Sequence, residues 1–226
     1  MNALAVALGV VAVGNLLSNR LVPKWAYVPN NVAIAIALVV CARLGGVLWS
    51  ELGFARGWIR RGRHAGGLLA AATFVVYLVG AILPATRDLF HDRRVDTAGL
   101  VVLYQALIRI PLGTVLLEET AFRGVLPALF RKAGFSRGDL AASFVFGLWH
   151  ILPALSLSTV NPKMASAFQG ASGHVLTVAG AVAATTVAGL LLCWLRSRTQ
   201  SLLTPAIVHV ATNSLGYLFA YLVTRG

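Results

Sequence analysis

Acidic side chains are scarce in this chain: seven Asp and Glu stand against nineteen Lys and Arg in 226 residues. Charge of either sign is thin as well, at 12% of residues against 58% hydrophobic, with a mean hydropathy of +0.80. That balance excludes an ordinary soluble domain, in which about a quarter of residues carry charge. Cysteine is almost missing. Cys41 and Cys193 both lie in apolar runs with no CxxC pair and no secreted disulfide spacing, which leaves them as small core residues. The N-terminus has neither a basic leader nor a convincing cleavage site, so its first apolar run reads as a retained span and not as a signal peptide. No internal repeat, low-complexity tract or HExxH helix is present.

Apolar runs of about 20 residues recur between short polar connections. The fold class they predict is all-α, a polytopic transmembrane helical bundle of about seven spans around a buried polar cavity, forming a single integral membrane domain over residues 1–226. The runs extend from Ala3 to Leu17, Val32 to Trp49, Ala65 to Leu83, Gly99 to Phe130, Ser136 to Leu152, Val175 to Leu195 and Leu202 to Val223. Ser136 and Asp139 approximate a capping box for the fifth. Between Ala154 and Gly173 lies a connection long enough to be a mobile access element.

The net charge of +12 sits mostly in short loops, which points to topology signals and anionic lipid headgroups; no nucleic-acid partner is expected. Connections after the second, fourth and sixth runs are richer in arginine and lysine. Those after the first, third and fifth hold fewer and include Asp88, Asp92 and Asp96. The basic set is therefore assigned to the cytoplasm, in a multi-pass protein of the plasma membrane.

Glu118 and Glu119 are the only acidic residues inside an apolar run, where charge costs several kcal/mol and marks a functional hypothesis. Of the histidines, His150 and His209 also lie within runs, and Asn213 follows His209 by four residues, one helical turn. At 1.5 Å per residue Glu118 lies about 18 Å, His150 about 16 Å and His209 about 12 Å from loops that must share one side of the membrane. Three helices then present a carboxylate, two imidazoles and a carboxamide at similar depth. Blander readings stand beside this one: a lone intramembrane histidine or asparagine is often an interhelical hydrogen-bonder, and Glu119 and Arg123, at i and i+4, make a structural ion pair.

The segments Glu118-Glu119-Thr120-Ala121-Phe122-Arg123, Phe146-Gly147-Leu148-Trp149-His150 and His209-Val210-Ala211-Thr212-Asn213 resemble, in order, the three motifs of the CPBP intramembrane endopeptidases. That family includes CAAX prenyl proteases of the Ras-converting type and bacteriocin-processing relatives. The likeness covers the C-terminal half and marks 99–224 as the catalytic core, with 1–98 as N-terminal spans. It implies a glutamate peptidase in which Glu118 activates water shared with His150, His209 and Asn213 stabilise the oxyanion, Glu119 and Arg123 organise the site, and Phe146 packs below His150. It implies no metal and no other cofactor. Zinc stays open on the residues alone, since one glutamate and two histidines are a ligand set it accepts. The expected substrate is a membrane protein or peptide, prenylated or not, reached from the cytoplasmic side. Two other functions remain to be weighed: a non-catalytic scaffold that keeps the fold, and a transporter using buried carboxylates as a proton relay.

Overall fold

With no water in the hydrocarbon layer to satisfy peptide groups, an apolar run has to close its own hydrogen bonds as a helix. A computed structural model of the chain describes residues 2–156 and 170–225, and its elements are helical, as expected for an all-α bundle. Among the described residues six helices are long and apolar enough to cross a membrane. They are α1 (Ala3–Leu21), α2 (Lys24–Leu44), α3 (Trp58–Ile82), α4 (Gly99–Lys132), α6 (Gly170–Thr199, of which Gly173–Thr199 qualifies) and α7 (Leu203–Arg225).

The seventh expected span is the fifth run, and it does not qualify. Its helix α5 covers Gly138–Trp149, twelve residues, or about 18 Å against a hydrocarbon layer of about 30 Å. The helix stops because His150 turns to φ −83° and ψ 0°, before the short Ile151–Ala154 segment resumes. The capping box is also not formed. Arg137 occupies the N-cap with no side-chain cap, and Asp139 instead accepts a bond from Arg131 Nη1 at 2.8 Å across the turn.

Other boundaries move for local reasons. The second helix starts earlier than expected, because Pro29 falls in the first turn of its α-helical part, Tyr27–Leu44, where a missing N–H is harmless. It does not reach Trp49: the chain turns at Gly45 and at Gly46, which has φ +75°. The basic connection after it is shorter than predicted, since α3 begins at Trp58 and carries Arg60, Arg61, Arg63 and His64 on its first turns. Most of the connection between Ala154 and Gly173 lies outside the described residues.

The helices alternate in direction from α1 to α4, and α6, which follows short α5, runs parallel to α4. At one end Leu202 N donates to Gly53 O at 3.0 Å, Arg61 Nε donates to Thr199 O at 2.7 Å, and Cys41 Sγ lies 3.4 Å from Ala3 O. At the other, Tyr217 Oη donates to Arg94 O and Arg225 Nη2 to Thr97 O. The basic loops therefore share one end of the bundle, as the charge count requires. Short α5 runs antiparallel to α6, and the two approach closely at Gly147, where a Cβ would stand 2.1 Å from Thr186 Oγ1. Helices α1 and α2 pack against α4, and Asn31 Nδ2 donates to the Gly113 carbonyl at 2.6 Å. That carbonyl belongs to a widened, π-helical stretch of α4, Gln105–Val115.

Which end faces the cytoplasm is decided by labelling. In a Cys41→Ala, Cys193→Ala background, Arg56→Cys is expected to stay unlabelled by an impermeant maleimide in intact cells while Asp96→Cys labels. The reverse pattern would put the 84–98 loop inside.

Candidate active site

Three charged side chains of α4 enter the protein interior within two turns. Glu118, Glu119 and Arg123 are 6%, 1% and 1% exposed. Isolated, each would be prohibitive at this depth; breaking such a buried pair costs about 3–5 kcal/mol. They are offset mutually. Arg123 Nη1 lies 3.2 Å from Glu119 Oε1, and its guanidinium sits 4.0 Å over the Phe146 ring. The i, i+4 ion pair read from the sequence is present. His209 of α7 joins both glutamates, with Nδ1 donating to Glu119 Oε1 at 2.7 Å and Nε2 standing 3.7 Å from Glu118 Oε2. Glu119, read as a supporting residue, is thus closer to the imidazole than Glu118 is.

Glu118 has a second partner that sequence reasoning missed. Trp149 Nε1 donates to its Oε1 at 3.0 Å. The signal was available: a buried indole N–H needs an acceptor, and Trp149 directly precedes His150. The corner that holds both follows from Pro153, which has no N–H for the Trp149 carbonyl four residues back. Asn15 of α1 takes that place, donating from Nδ2 to Trp149 O at 3.1 Å. One residue on, His150 donates from Nδ1 to Phe146 O at 2.9 Å, a bond that leaves Nε2 of the neutral ring as an acceptor. Its ring packs edge-on against Phe146 at 4.6 Å, the contact that the resemblance implies.

Two cavities share Thr212 and Asn213, just beyond His209 on α7. A cleft of about 460 Å³ between α5, α6 and α7 is lined by Phe146, His150, Leu191, Trp194, His209 and Asn213, among others. Leu191 and Trp194 are 60% and 53% exposed, which gives the cleft an apolar rim on the lipid side. A second cavity of about 1000 Å³ reaches Thr212 and Asn213 from the end that carries the 84–98 loop. Arg94 at its mouth donates hydrogen bonds to the Asp92 carboxylate, which push its pKa upward. Asn213 lies in a π-helical turn, Ala211–Leu215, and is exposed where His209 is buried.

The predicted residues are therefore only partly brought together. Glu118 meets His209 directly, while His150, His209 and Asn213 share the cleft; Glu118 lines neither of the two cavities. The single polar chamber expected from depth is divided in two, with Thr212 and Asn213 as the common wall. A second expectation also splits. The larger cavity opens at the end opposite the basic loops, so basic loops in the cytoplasm and a mouth facing the cytoplasm are different orientations. No group of three or more His, Cys, Asp and Glu among the described residues is placed to hold a metal ion.

Because Asn15 stands in for a missing backbone donor, Asn15→Leu is expected to lower stability by about 1–3 kcal/mol, read by thermal unfolding in detergent. Adding Pro153→Ala, which restores the N–H, should recover most of that loss.

Residues 100–215 match a known family, described as type II CAAX prenyl endopeptidase Rce1-like. No curated protein and no solved structure matches the chain. The matched segment includes all three motifs built above and spans slightly more than half of the sequence. This integral, multi-pass membrane chain belongs to the Rce1-like family of CAAX prenyl endopeptidases.

Proposed function

We propose that the protein hydrolyses a peptide bond of a membrane-associated or prenylated protein or peptide within the bilayer, by a glutamate mechanism. The observation that carries this is His209 placed between Glu118 and Glu119 at the edge of a cleft it shares with His150 and Asn213. Glu118 Oε2 and Glu119 Oε2 both lack a hydrogen-bond partner among the described residues, and of the two Glu118 Oε2 is the one that faces His209 Nε2, at 3.7 Å.

In this reading Glu118 takes a proton from water while His150 Nε2 accepts a hydrogen bond from the same molecule. The resulting hydroxide adds to the substrate carbonyl. Asn213 Nδ2 donates to the oxyanion, as does His209 Nε2 when both ring nitrogens carry protons. The C–N bond then breaks, and the proton held by Glu118 passes to the departing amine. Glu119 and Arg123 fix the His209 ring. The apolar rim at Leu191 and Trp194 suits a substrate that arrives sideways from the lipid with a hydrophobic segment or attached chain. No metal takes part in this scheme.

Purified Glu118→Ala, His150→Ala and His209→Ala are each expected to lose hydrolysis while remaining folded, and Asn213→Ala to lose about 10²–10³-fold in kcat. Substrates are found by comparing new peptide termini in membranes carrying the intact protein and its Glu118→Ala variant. Undiminished turnover in Glu118→Ala would reject the mechanism, and a set of termini identical in both membranes would favour a scaffold that keeps the protease fold. Activity that survives exhaustive chelation, with no metal by elemental analysis, is expected; loss restored by zinc would assign the imidazoles to a metal.

A further inference from the structure

Asn213, the oxyanion donor of the scheme above, is exposed, and its carboxamide makes no hydrogen bond with the described residues. Where its Nδ2 points is therefore set by the backbone that carries it. That backbone is the π-helical turn Ala211–Leu215, and the N–H that closes it, on Gly216, is shared between the Thr212 and Asn213 carbonyls. One N–H divided between two carbonyls leaves each with acceptor capacity to spare.

Both neighbours of Asn213 are tied to other helices. Tyr77 of α3 donates from Oη to the Thr212 carbonyl at 3.0 Å, and Ser214 donates from Oγ to the Ala106 carbonyl of α4 at 2.7 Å. Ser214 and Ala106 are both buried. Ala106 lies in the widened stretch Gln105–Val115, so one π-helical segment is bonded to the other. The Tyr77 ring also covers Gly216, where the turn ends: a Cβ there would stand 3.4 Å from Tyr77 Cε2.

A plainer role for the phenol would be to hold α3 to α7. Those helices already press together farther along, where a Cβ on Gly62 would stand 2.6 Å from Leu203 Cβ and one on Gly66 2.9 Å from Ile207 Cβ. The ring of Tyr77 adds edge contacts with Phe90 and Phe219. None of this packing needs the hydroxyl, whose hydrogen bond goes to the turn.

We propose that Tyr77 and Ser214 are positioning residues that clamp the turn on either side of Asn213 and so aim its carboxamide at the oxyanion. A preorganised donor works because it is fixed before the charge develops, and a displacement of about 1 Å can cost about 10²-fold in rate. Tyr77 lies ahead of the segment 100–215 that marks the family, so the oxyanion side of the site depends on a helix outside the signature. This rests on the hydrolytic reading of the Glu118 centre, but the aim of the carboxamide is read without turnover.

Protein carrying isotope-labelled asparagine is followed by NMR in detergent, with the Asn213 side-chain signal assigned by its loss in Asn213→Ala. One sharp NH₂ pair is expected in the intact protein. A broadened or doubled pair is expected in Ser214→Ala and in Tyr77→Phe, which keeps the ring and its packing. Hydrolysis is measured with an internally quenched S-farnesyl peptide ending in a CAAX tetrapeptide. Tyr77→Phe should lower kcat about tenfold with KM unchanged, the pattern of a contact made only in the transition state. In an Asn213→Ala background the same substitution should cost nothing further. An Asn213 signal unchanged in both variants, or a Tyr77→Phe loss that persists in full beside Asn213→Ala, overturns the proposal. If the signal is disturbed as expected while the intact protein neither cleaves this peptide nor creates new termini in its membranes, the positioning of Asn213 stands and the hydrolase reading falls.

Discussion

Everything near the centre of this bundle depends on one constraint: two adjacent carboxylates have been taken out of water together. Glu118 and Glu119 are next to each other on α4 and both buried, so each raises the cost of the other. The structure meets that cost with one guanidinium from the same helix and one imidazole from another. The indole N–H of a third helix adds a neutral donor. Each partner comes from a different direction, which ties α4, α5 and α7 into one unit before any substrate is considered. For a chain of the Rce1-like endopeptidase family the same ties hold the polar groups of the site in place, as a preorganised centre requires.

How α5 ends is the second determinant. A helix that carried on past Trp149 would leave His150 on a regular helical surface, directed by its neighbours in the turn. Stopping at Trp149 lets the backbone reach ψ 0° at His150 and lets the ring bond the Phe146 carbonyl of its own last turn. Pro153 and Asn15 act on the same corner from two sides, one by removing a donor and the other by supplying one. The shortness of α5 and the placement of His150 are the same fact.

Much of this was legible in the sequence because it is local or forced by the solvent. The apolar runs had to become helices, Glu119 and Arg123 had to lie on one face at i, i+4, and Phe146 had to sit one turn below His150. Similar depth for Glu118, His150 and His209 followed from counting residues off shared loops, and Glu118 and His209 do meet. What could not be read depends on partners distant in sequence or on small changes of helical pitch. Asn15 and Trp149 are far apart along the chain, and nothing around Asn15 names its acceptor. The widened turns of α4 and α7 alter which face a residue presents, so Asn213 lines both the cleft and the larger cavity while His209 lines the cleft alone. The fifth run, expected to reach Leu152 before Pro153, starts at Gly138 and breaks already at His150, because that proline supplies no N–H to the Trp149 carbonyl. The Ser136 and Asp139 box failed because Arg131, one turn away in space, bonded the carboxylate first.

The family signature begins at residue 100, yet two carbonyls inside it are satisfied from outside: Gly113 by Asn31, and Trp149 by Asn15. A fragment cut to the signature would expose those two oxygens to acyl chains that offer no proton. The smallest autonomous catalyst is accordingly larger than the region that identifies it, and the leading helices are internal solvent for the core.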